Sequence, residues 1–173
     1  KLAAPAGLSA MDEASATARF MAEFRRSIAY RLRSDVKVGT SLSGGLDSSS
    51  IASLSAALYH QSSSSRFQAI HARGGVGDTD ESGYAQELAS HCDIDLTVIE
   101  PSVAEFAGAI DEVAYLQEEP FGSPSIFMQY FVFKKAKDIA CKVMLDGQGA
   151  DEILLGYERY YATYLRAIPW FDV

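Results

Sequence analysis

The sequence has few basic residues and no long apolar run. Lys and Arg total 15 against 23 Asp and Glu, so the formal net charge is −8. A surface this acidic lacks the basic patch that a nucleic-acid partner or an anionic membrane requires. No apolar run approaches the roughly 20 residues of a membrane-spanning helix, and no charged-then-apolar leader opens the sequence. We therefore expect no nucleic-acid partner and no membrane association.

Cysteine and metal-ligand spacings are also scarce. The two cysteines, Cys92 and Cys141, lie far apart and form no CxxC pair. This usage favours reduced thiols in a cytoplasmic protein over a disulfide framework. The three histidines form no HExxH motif and have no neighbouring carboxylate pattern, which argues against zinc. The length of 173 residues and the hydrophobic content of 48% are typical of one globular domain.

Strand-like and helix-like patterns alternate along the chain. Strands are predicted over about 36–42, 67–72, 96–99 and 142–145, and helices over about 12–33, 47–59, 80–91, 102–116, 125–139 and 151–168. The first helix is expected to bury Phe20, Phe24, Ile28 and Leu32, which recur every four residues. This alternation predicts a three-layer αβα fold of the α/β class, with a mostly parallel sheet and helices on both faces.

Two glycine-rich, acid-bearing loops follow the first and fourth predicted strands, at residues 42–48 and 146–152. Ligands of such folds bind beyond the carboxyl ends of the strands, at the point where the strand order reverses. In a sheet of order 3-2-1-4 the first and fourth strands are neighbours. Both loops would then face the same crevice.

The first loop reads SGGLDS over residues 43–48. Its two glycines allow a tight turn, and the helix start that follows offers unpaired N–H groups to a phosphate. Because Asp47 would repel a bare phosphate, its presence indicates a bridging Mg²⁺ ion. The alternative is a simple turn in which Asp47 caps the helix.

The hexapeptide lacks the GxxxxGK[ST] spacing of a Walker loop. It resembles the SGGxDS pyrophosphate-binding loop, or PP-loop, of ATP pyrophosphatases, which cleave ATP between the α and β phosphates and adenylate a substrate. RLRSDV precedes it at 31–36, and DGQGADE follows at 146–152 with GY at 156–157. Together these motifs resemble the synthetase domain of glutamine-dependent asparagine synthetases and relatives such as β-lactam synthetase, over about residues 12–164.

The resemblance implies an adenine nucleotide alpha hydrolase-like fold and a site for ATP and Mg²⁺. The residues that would contact the nucleotide are Leu42, Ser43, Gly44, Gly45, Leu46, Asp47, Ser48, Ala72, Asp146 and Gly147. Asp47 and Asp151 would bind the metal and act with Gln148 in catalysis. Ala72 would contact the adenine or belong to the core. Glu152 is either a partner of these ligands or a helix N-terminal acid. The resemblance also places the Pro-bearing stretch 118–125 near the substrate, where Ser123 or Ser125 would contact it or cap the next helix.

The implied reaction adenylates a carboxylate, aspartate by the resemblance, and releases pyrophosphate. Ammonia that a glutaminase domain of the parent protein derives from glutamine would then displace AMP. Three departures from the family qualify this expectation. Gln148 stands where the family commonly has Glu. The family's glutaminase half begins with a nucleophilic Cys, whereas the first residue here is Lys1 and the first cysteine is Cys92. The family's catalytic Lys lies beyond position 173. Residues 1–173 are therefore expected to form a partial synthetase domain without the glutaminase domain and the C-terminal part.

Alternatives stay open at this point. One is a nucleotide-binding module that is inactive through truncation or through Gln148. Others are PP-loop enzymes that act on another carboxylate or on RNA. Apolar surface left without its partner segment would favour a homodimer.

Overall fold

The computed structural model describes residues 11–74, 80–154 and 156–167. Four strands, β1 Val38–Ser41, β2 Phe67–Ala72, β3 Ile94–Ile99 and β4 Val143–Leu145, form a sheet of order β3-β2-β1-β4. All three pairings are parallel, and Thr40 of β1 lies beside Ala69 of β2 and Leu145 of β4. The predicted order is confirmed, so the strands that precede the two loops are adjacent.

Eight helices surround this sheet in the described part of the chain: α1 Glu13–Arg31, α2 Leu46–Tyr59, α3 Ser82–His91, α4 Val103–Gly108, α5 Ile110–Gln117, α6 Ser125–Asp138, α7 Ala150–Leu154 and α8 Arg159–Ala167. The structure divides each of the predicted helices 102–116 and 151–168 into two helices, α4 with α5 and α7 with α8. The first divides at Ala109, which ends α4, begins α5 and is buried. The second divides near Gly156, whose N–H donates to the Asp151 carbonyl oxygen.

Apolar side chains pack on both faces of the sheet, which confirms the three layers. On one face Phe67, Ala69 and Ile94 contact a row of small residues, Ala52 and Ala56 of α2 and Ala85 and Ala89 of α3. On the other face Ile70 packs with Val132, Ala136 and Cys141, and this cluster continues into one under α5 that contains Val113, Phe127 and Phe131. Small side chains let α2 and α3 approach the sheet closely. Both helices begin at the carboxyl edge of the sheet because α2 follows β1 and α3 follows β2.

The expected buried stripe of α1 is only partly correct. Ile28 is buried and Leu32 packs against the core, but the Phe20 side chain is 48% exposed and stacks on Phe24. A four-residue spacing marks one helix side, yet only the C-terminal half of that side meets the core. Of the helices in the described ranges, none is long and apolar enough to cross a membrane.

Two capping features illustrate how the helices begin. The capping box of Ser102 and Glu105 at the start of α4 is present with both of its hydrogen bonds. At α1, Asp12 itself is the N-cap and accepts from the Ser15 N–H at 2.7 Å. The spacing of Ser9 and Asp12 in the sequence also resembles a capping box, but Ser9 lies outside the described residues.

Candidate functional site

The loop after β1 is held by its own two serine hydroxyls. The Ser48 hydroxyl donates to the Gly45 carbonyl oxygen at 3.1 Å and accepts from the Ser43 N–H at 3.2 Å. The hydroxyl oxygens of Ser43 and Ser48 are 2.9 Å apart, and the Gly45 N–H donates to the Ser43 oxygen at 3.2 Å. Because Ser48 gives its hydrogen to Gly45, Ser43 must donate to Ser48. The loop is therefore closed by internal bonds before any ligand arrives.

Gly44 is required by the conformation of this loop. Its φ of +99° is one that L side chains rarely adopt, and a Cβ atom there would lie 2.6 Å from the Glu81 carbonyl oxygen. Glu81 is the N-cap residue of α3. The loop therefore rests directly on the first turn of that helix, where only a glycine fits.

The start of α2 faces the space beyond the sheet edge. Gly45 is its N-cap and cannot supply a side-chain cap, so first-turn N–H groups stay available for an anion. Asp47 lies in this first turn, and Ser48 is buried behind it. The alternative in which Asp47 caps the helix is not what the structure shows, since Gly45 holds the N-cap position.

The loop after β4 packs against the loop after β1. A Cβ atom on Gly147 would lie 3.0 Å from the Asp47 Cβ and 3.1 Å from the Ser48 nitrogen, so the second loop approaches the first as closely as a glycine permits. The Gln148 N–H donates to the Asp146 side chain at 3.0 Å and closes a tight turn. Asp151 and Glu152 follow in the first turn of α7. The two loops share one crevice, as the sequence predicted.

A cleft of about 410 Å³ lies between these loops and α6. The predicted residues that line it are Leu42, Ser43, Asp47, Ser48, Ala72, Asp146, Gly147, Gln148 and Asp151. Gly44, Gly45 and Leu46 do not line it, and the Leu46 side chain is 84% exposed. Their position indicates that they shape the loop through the backbone.

The opposite wall of the cleft comes from α6, of which only Ser125 was predicted as a contact. Met128, Val132 and Phe133 line it together with Ile70 and Ala72 of β2, so this end of the cleft is apolar. Ser125 also lines the cleft, and its N–H donates to the Ser123 hydroxyl at 3.2 Å. The sequence offered no signal for this wall, because the helical pattern of 125–139 does not say which side meets the sheet edge.

The carboxylates of the cleft fit a particular kind of metal site. Within the described ranges no group of three or more His, Cys, Asp or Glu side chains could hold an ion. Asp47 and Asp151 nevertheless line the same cleft from two helix starts. Mg²⁺ keeps several waters and binds through one or two carboxylates plus substrate phosphates. The donor set therefore fits an ion that arrives with a nucleotide.

Comparison with known proteins agrees with this architecture. The sequence model of the family described as Asparagine synthase matches residues 19–172. The chain belongs to the asparagine synthase family. Relatives include a putative glutamine-hydrolysing asparagine synthetase of Mycobacterium tuberculosis H37Rv, 35% identical over 78% of this chain and 20% of the relative. Asparagine synthetase 1 of Bacillus subtilis is 34% identical over the same shares. The chain thus spans about a fifth of the length of these curated relatives.

Solved structures add information about the fold of this asparagine synthase family member. A U34-tRNA thiolase from Methanococcus maripaludis matches with a TM-score of 0.58 and 21% identity, over 84% of this chain and 51% of that protein. An NH3-dependent NAD synthetase from Campylobacter jejuni matches with a TM-score of 0.52 and 16% identity, over 80% and 59%. At these identities the likeness establishes the fold alone, a parallel sheet of order β3-β2-β1-β4 between layers of helices.

Proposed function

We propose that this chain is the ATP-binding core of an amide ligase that adenylates a carboxylate. The observation that carries the proposal is the contact of two loops at one cleft, with Gly147 against Asp47 and Ser48. Membership of the asparagine synthase family supports ATP as the activating substrate. Because the matched stretch is about a fifth of the curated relatives, we propose residues 1–173 as part of a synthetase domain that works with a glutaminase domain.

The two ends of the cleft suit the two ends of ATP. The first turn of α2 would bind the phosphates, because its free N–H groups and positive dipole end favour anions. The hydroxyls of Ser43 and Ser48 would exchange their bonds within the loop for bonds to phosphate oxygens. The apolar end, with Ala72 and Val132, would receive the adenine ring. This assignment orients the α phosphate toward the second loop.

Asp47 and Asp151 would hold Mg²⁺, which when bound neutralises negative charge on the leaving pyrophosphate. A carboxylate oxygen of the substrate attacks the α phosphorus, the bond to the bridging oxygen of the β phosphate breaks, and an acyl-adenylate and pyrophosphate form. An amine or ammonia then displaces AMP. The tight turn of Asp146 and the Gln148 N–H fixes the second loop beside this point.

Gln148 bears on the choice of substrate. Its side chain is exposed at the cleft, and an amide donates or accepts hydrogen bonds but does not ionise. It would therefore orient the carboxylate or the attacking amine, whereas the Glu common in the family would also accept a proton. We propose aspartate as the first carboxylate to test, with other carboxylates as the alternative. A homodimer and a cytoplasmic location remain predictions.

The test is a calorimetric titration of the chain with ATP, with and without Mg²⁺, followed by ATP–pyrophosphate exchange with a panel of carboxylates and with tRNA. We expect Mg²⁺-dependent binding that Asp47→Ala abolishes. Asp138→Ala is the matched control, since this exposed acid ends α6 and does not line the cleft.

Each outcome has a distinct meaning. Binding without exchange for any carboxylate supports a nucleotide-binding module, and exchange that requires tRNA supports an RNA-directed enzyme. Absence of ATP binding by the wild-type chain contradicts the proposal.

A further inference from the structure

A buried chain of hydrogen bonds lies directly behind the nucleotide loop and is not used in the mechanism above. His71, 4% exposed at the end of β2, contacts the Leu42 carbonyl oxygen through Nδ1 at 2.7 Å. Its Nε2 lies 2.9 Å from the hydroxyl oxygen of Ser82, which is also buried. Ser82 in turn bonds the Asp80 carboxylate at 2.5 Å. This chain joins the strand before the loop to the first turn of α3.

The position of each hydrogen in this series of hydrogen bonds follows from what its donors and acceptors can do. The Leu42 carbonyl oxygen can only accept, so His71 must carry a hydrogen on Nδ1. Hydrogen bonds from Ser82, and after them Arg73, lower the pKa of Asp80 from 3.8 to about 2, so Asp80 is a carboxylate at neutral pH and also only accepts. Ser82 has one hydroxyl hydrogen, and the short contact with Asp80 requires it. Nε2 of His71 must then donate to Ser82.

We infer that His71 carries hydrogens on both ring nitrogens and is a positioning residue that holds the nucleotide loop through the Leu42 carbonyl oxygen. The role in nucleotide binding rests on the proposed function. Leu42 immediately precedes Ser43, and its own N–H is fixed to Ile70 at 2.9 Å. With His71 on its carbonyl group, both backbone polar groups of Leu42 are fixed.

The surrounding charges balance a buried imidazolium. Asp80 faces it through Ser82, and Arg73 pairs with the other oxygen of Asp80 at 2.8 Å. Arg73 also approaches Glu100, after β3, at 3.9 Å. Of the neighbouring elements on this face, α3 carries Glu81 in front of its first turn, α2 carries Asp47 in its first turn, and β1 is uncharged. The negative charges of Asp80 and Glu100 therefore offset the positive charges of Arg73 and of a protonated His71.

The turn between Asp80 and Ser82 also supports the loop after β1 at a second point. The Ser82 N–H donates to the Asp80 side chain at 3.0 Å, which fixes the backbone around Glu81. The Glu81 carbonyl oxygen is the atom against which Gly44 packs. Loss of the Ser82 hydroxyl would therefore loosen the loop both at Leu42, through His71, and at Gly44, through this turn.

The experiment compares Ser82→Ala with Ser55→Ala. Both remove a buried serine hydroxyl, but Ser55 on α2 has no hydrogen-bond partner among the described residues, so its loss leaves no group unpaired. We expect Ser82→Ala to weaken ATP binding about tenfold, the order of one lost hydrogen bond to a charged group. Ser55→Ala should bind as the wild type does. Ser82→Thr, which keeps the hydroxyl, should restore most of the affinity.

Nitrogen NMR of labelled histidine supplies a readout that a merely structural role would not change. Wild-type His71 should show both ring nitrogens protonated at neutral pH, and Ser82→Ala should convert it to the neutral ring with hydrogen on Nδ1. The Leu42 and Ser43 amides should exchange faster with solvent in Ser82→Ala than in Ser55→Ala.

A single protonated nitrogen in wild-type His71, or equal ATP affinity and amide exchange in the two variants, would overturn the inference. If the wild type binds no ATP, the proposed function fails, and the ring-nitrogen and exchange measurements still decide the role of His71. If Ser82→Ala does not fold, the wild-type nitrogen spectrum decides it.

Discussion

The contact between Gly44 and the first turn of α3 gives the sharpest prediction. Gly44→Ala places a side chain at a φ of +99° and a Cβ atom 2.6 Å from the Glu81 carbonyl oxygen, against the 3.0 Å that real contacts keep. A sparsely populated backbone conformation costs of order 1–3 kcal/mol. Because the opposing atom is backbone, α3 or the loop must also shift. We expect the free energy of unfolding to fall by at least about 2 kcal/mol, and ATP affinity to fall with it.

The matched control is Gly83→Ala, one residue into the same helix start. Within the described ranges nothing lies within 4 Å of a Cβ atom at Gly83, and its conformation is helical. Alanine there should raise the free energy of unfolding by roughly 0.5–1 kcal/mol, because glycine loses more backbone entropy on folding. The assay is urea denaturation of both variants beside the wild type, followed by ATP titration. Changes of the same sign in both variants would refute the reasoning.

Three further predictions concern charge at and near the cleft. Asp47→Asn and Asp151→Asn should each remove most of the Mg²⁺-dependent part of ATP affinity in calorimetry while thermal unfolding stays near that of the wild type; unchanged affinity in both would exclude them as metal ligands. Gln148→Glu should raise aspartate-dependent ATP–pyrophosphate exchange, since a carboxylate can accept a proton there; no change would show that this position does not limit the reaction. The pKa of Asp80 is lowered to about 2 from 3.8, so its contribution to stability is complete above 3.8 and is lost as the pH falls toward 2. Urea denaturation between these pH values should show a weaker pH dependence for Asp80→Asn than for the wild type, and equal slopes would contradict the assignment.

The sheet and the two loops were predictable because local signals and topology agree. Alternating apolar runs fix the strands, and parallel strands of order 3-2-1-4 bring the two glycine-rich loops to one edge. The pairing of β1 with β4 and the contact of Gly147 with Asp47 follow from that order. Here the sequence carries the information in short, contiguous segments.

The divided helices and the apolar wall were not predictable in the same way. The break at Ala109 depends on burial against a cluster that contains Phe127 and Phe131, residues distant in sequence. The side of α6 that lines the cleft depends on the position of the sheet edge. Helix periodicity defines sides but not what each side meets.

His71, which we propose as a positioning residue, shows the same limit. From sequence it is an isolated histidine without a neighbouring carboxylate, since Asp80 lies nine residues further along. The fold brings Asp80 within two hydrogen bonds of the ring through Ser82. A spacing rule for metal or catalytic motifs does not detect such a connection, because its members lie on either side of a loop between β2 and α3.

The supports of the two loops are unequal, and this affects how the site responds to change. The loop after β1 is anchored on β2 and on α3, through the bond of Leu42 to His71 and the contact of Gly44 with Glu81. The loop after β4 instead rests on the first loop, because Gly147 packs on Asp47. We therefore expect a perturbation behind Leu42 or Gly44 to affect both loops, because the second packs on the first. A change confined to the second loop leaves the anchors of the first intact, so we expect the proposed phosphate binding and the proposed substrate choice to vary separately.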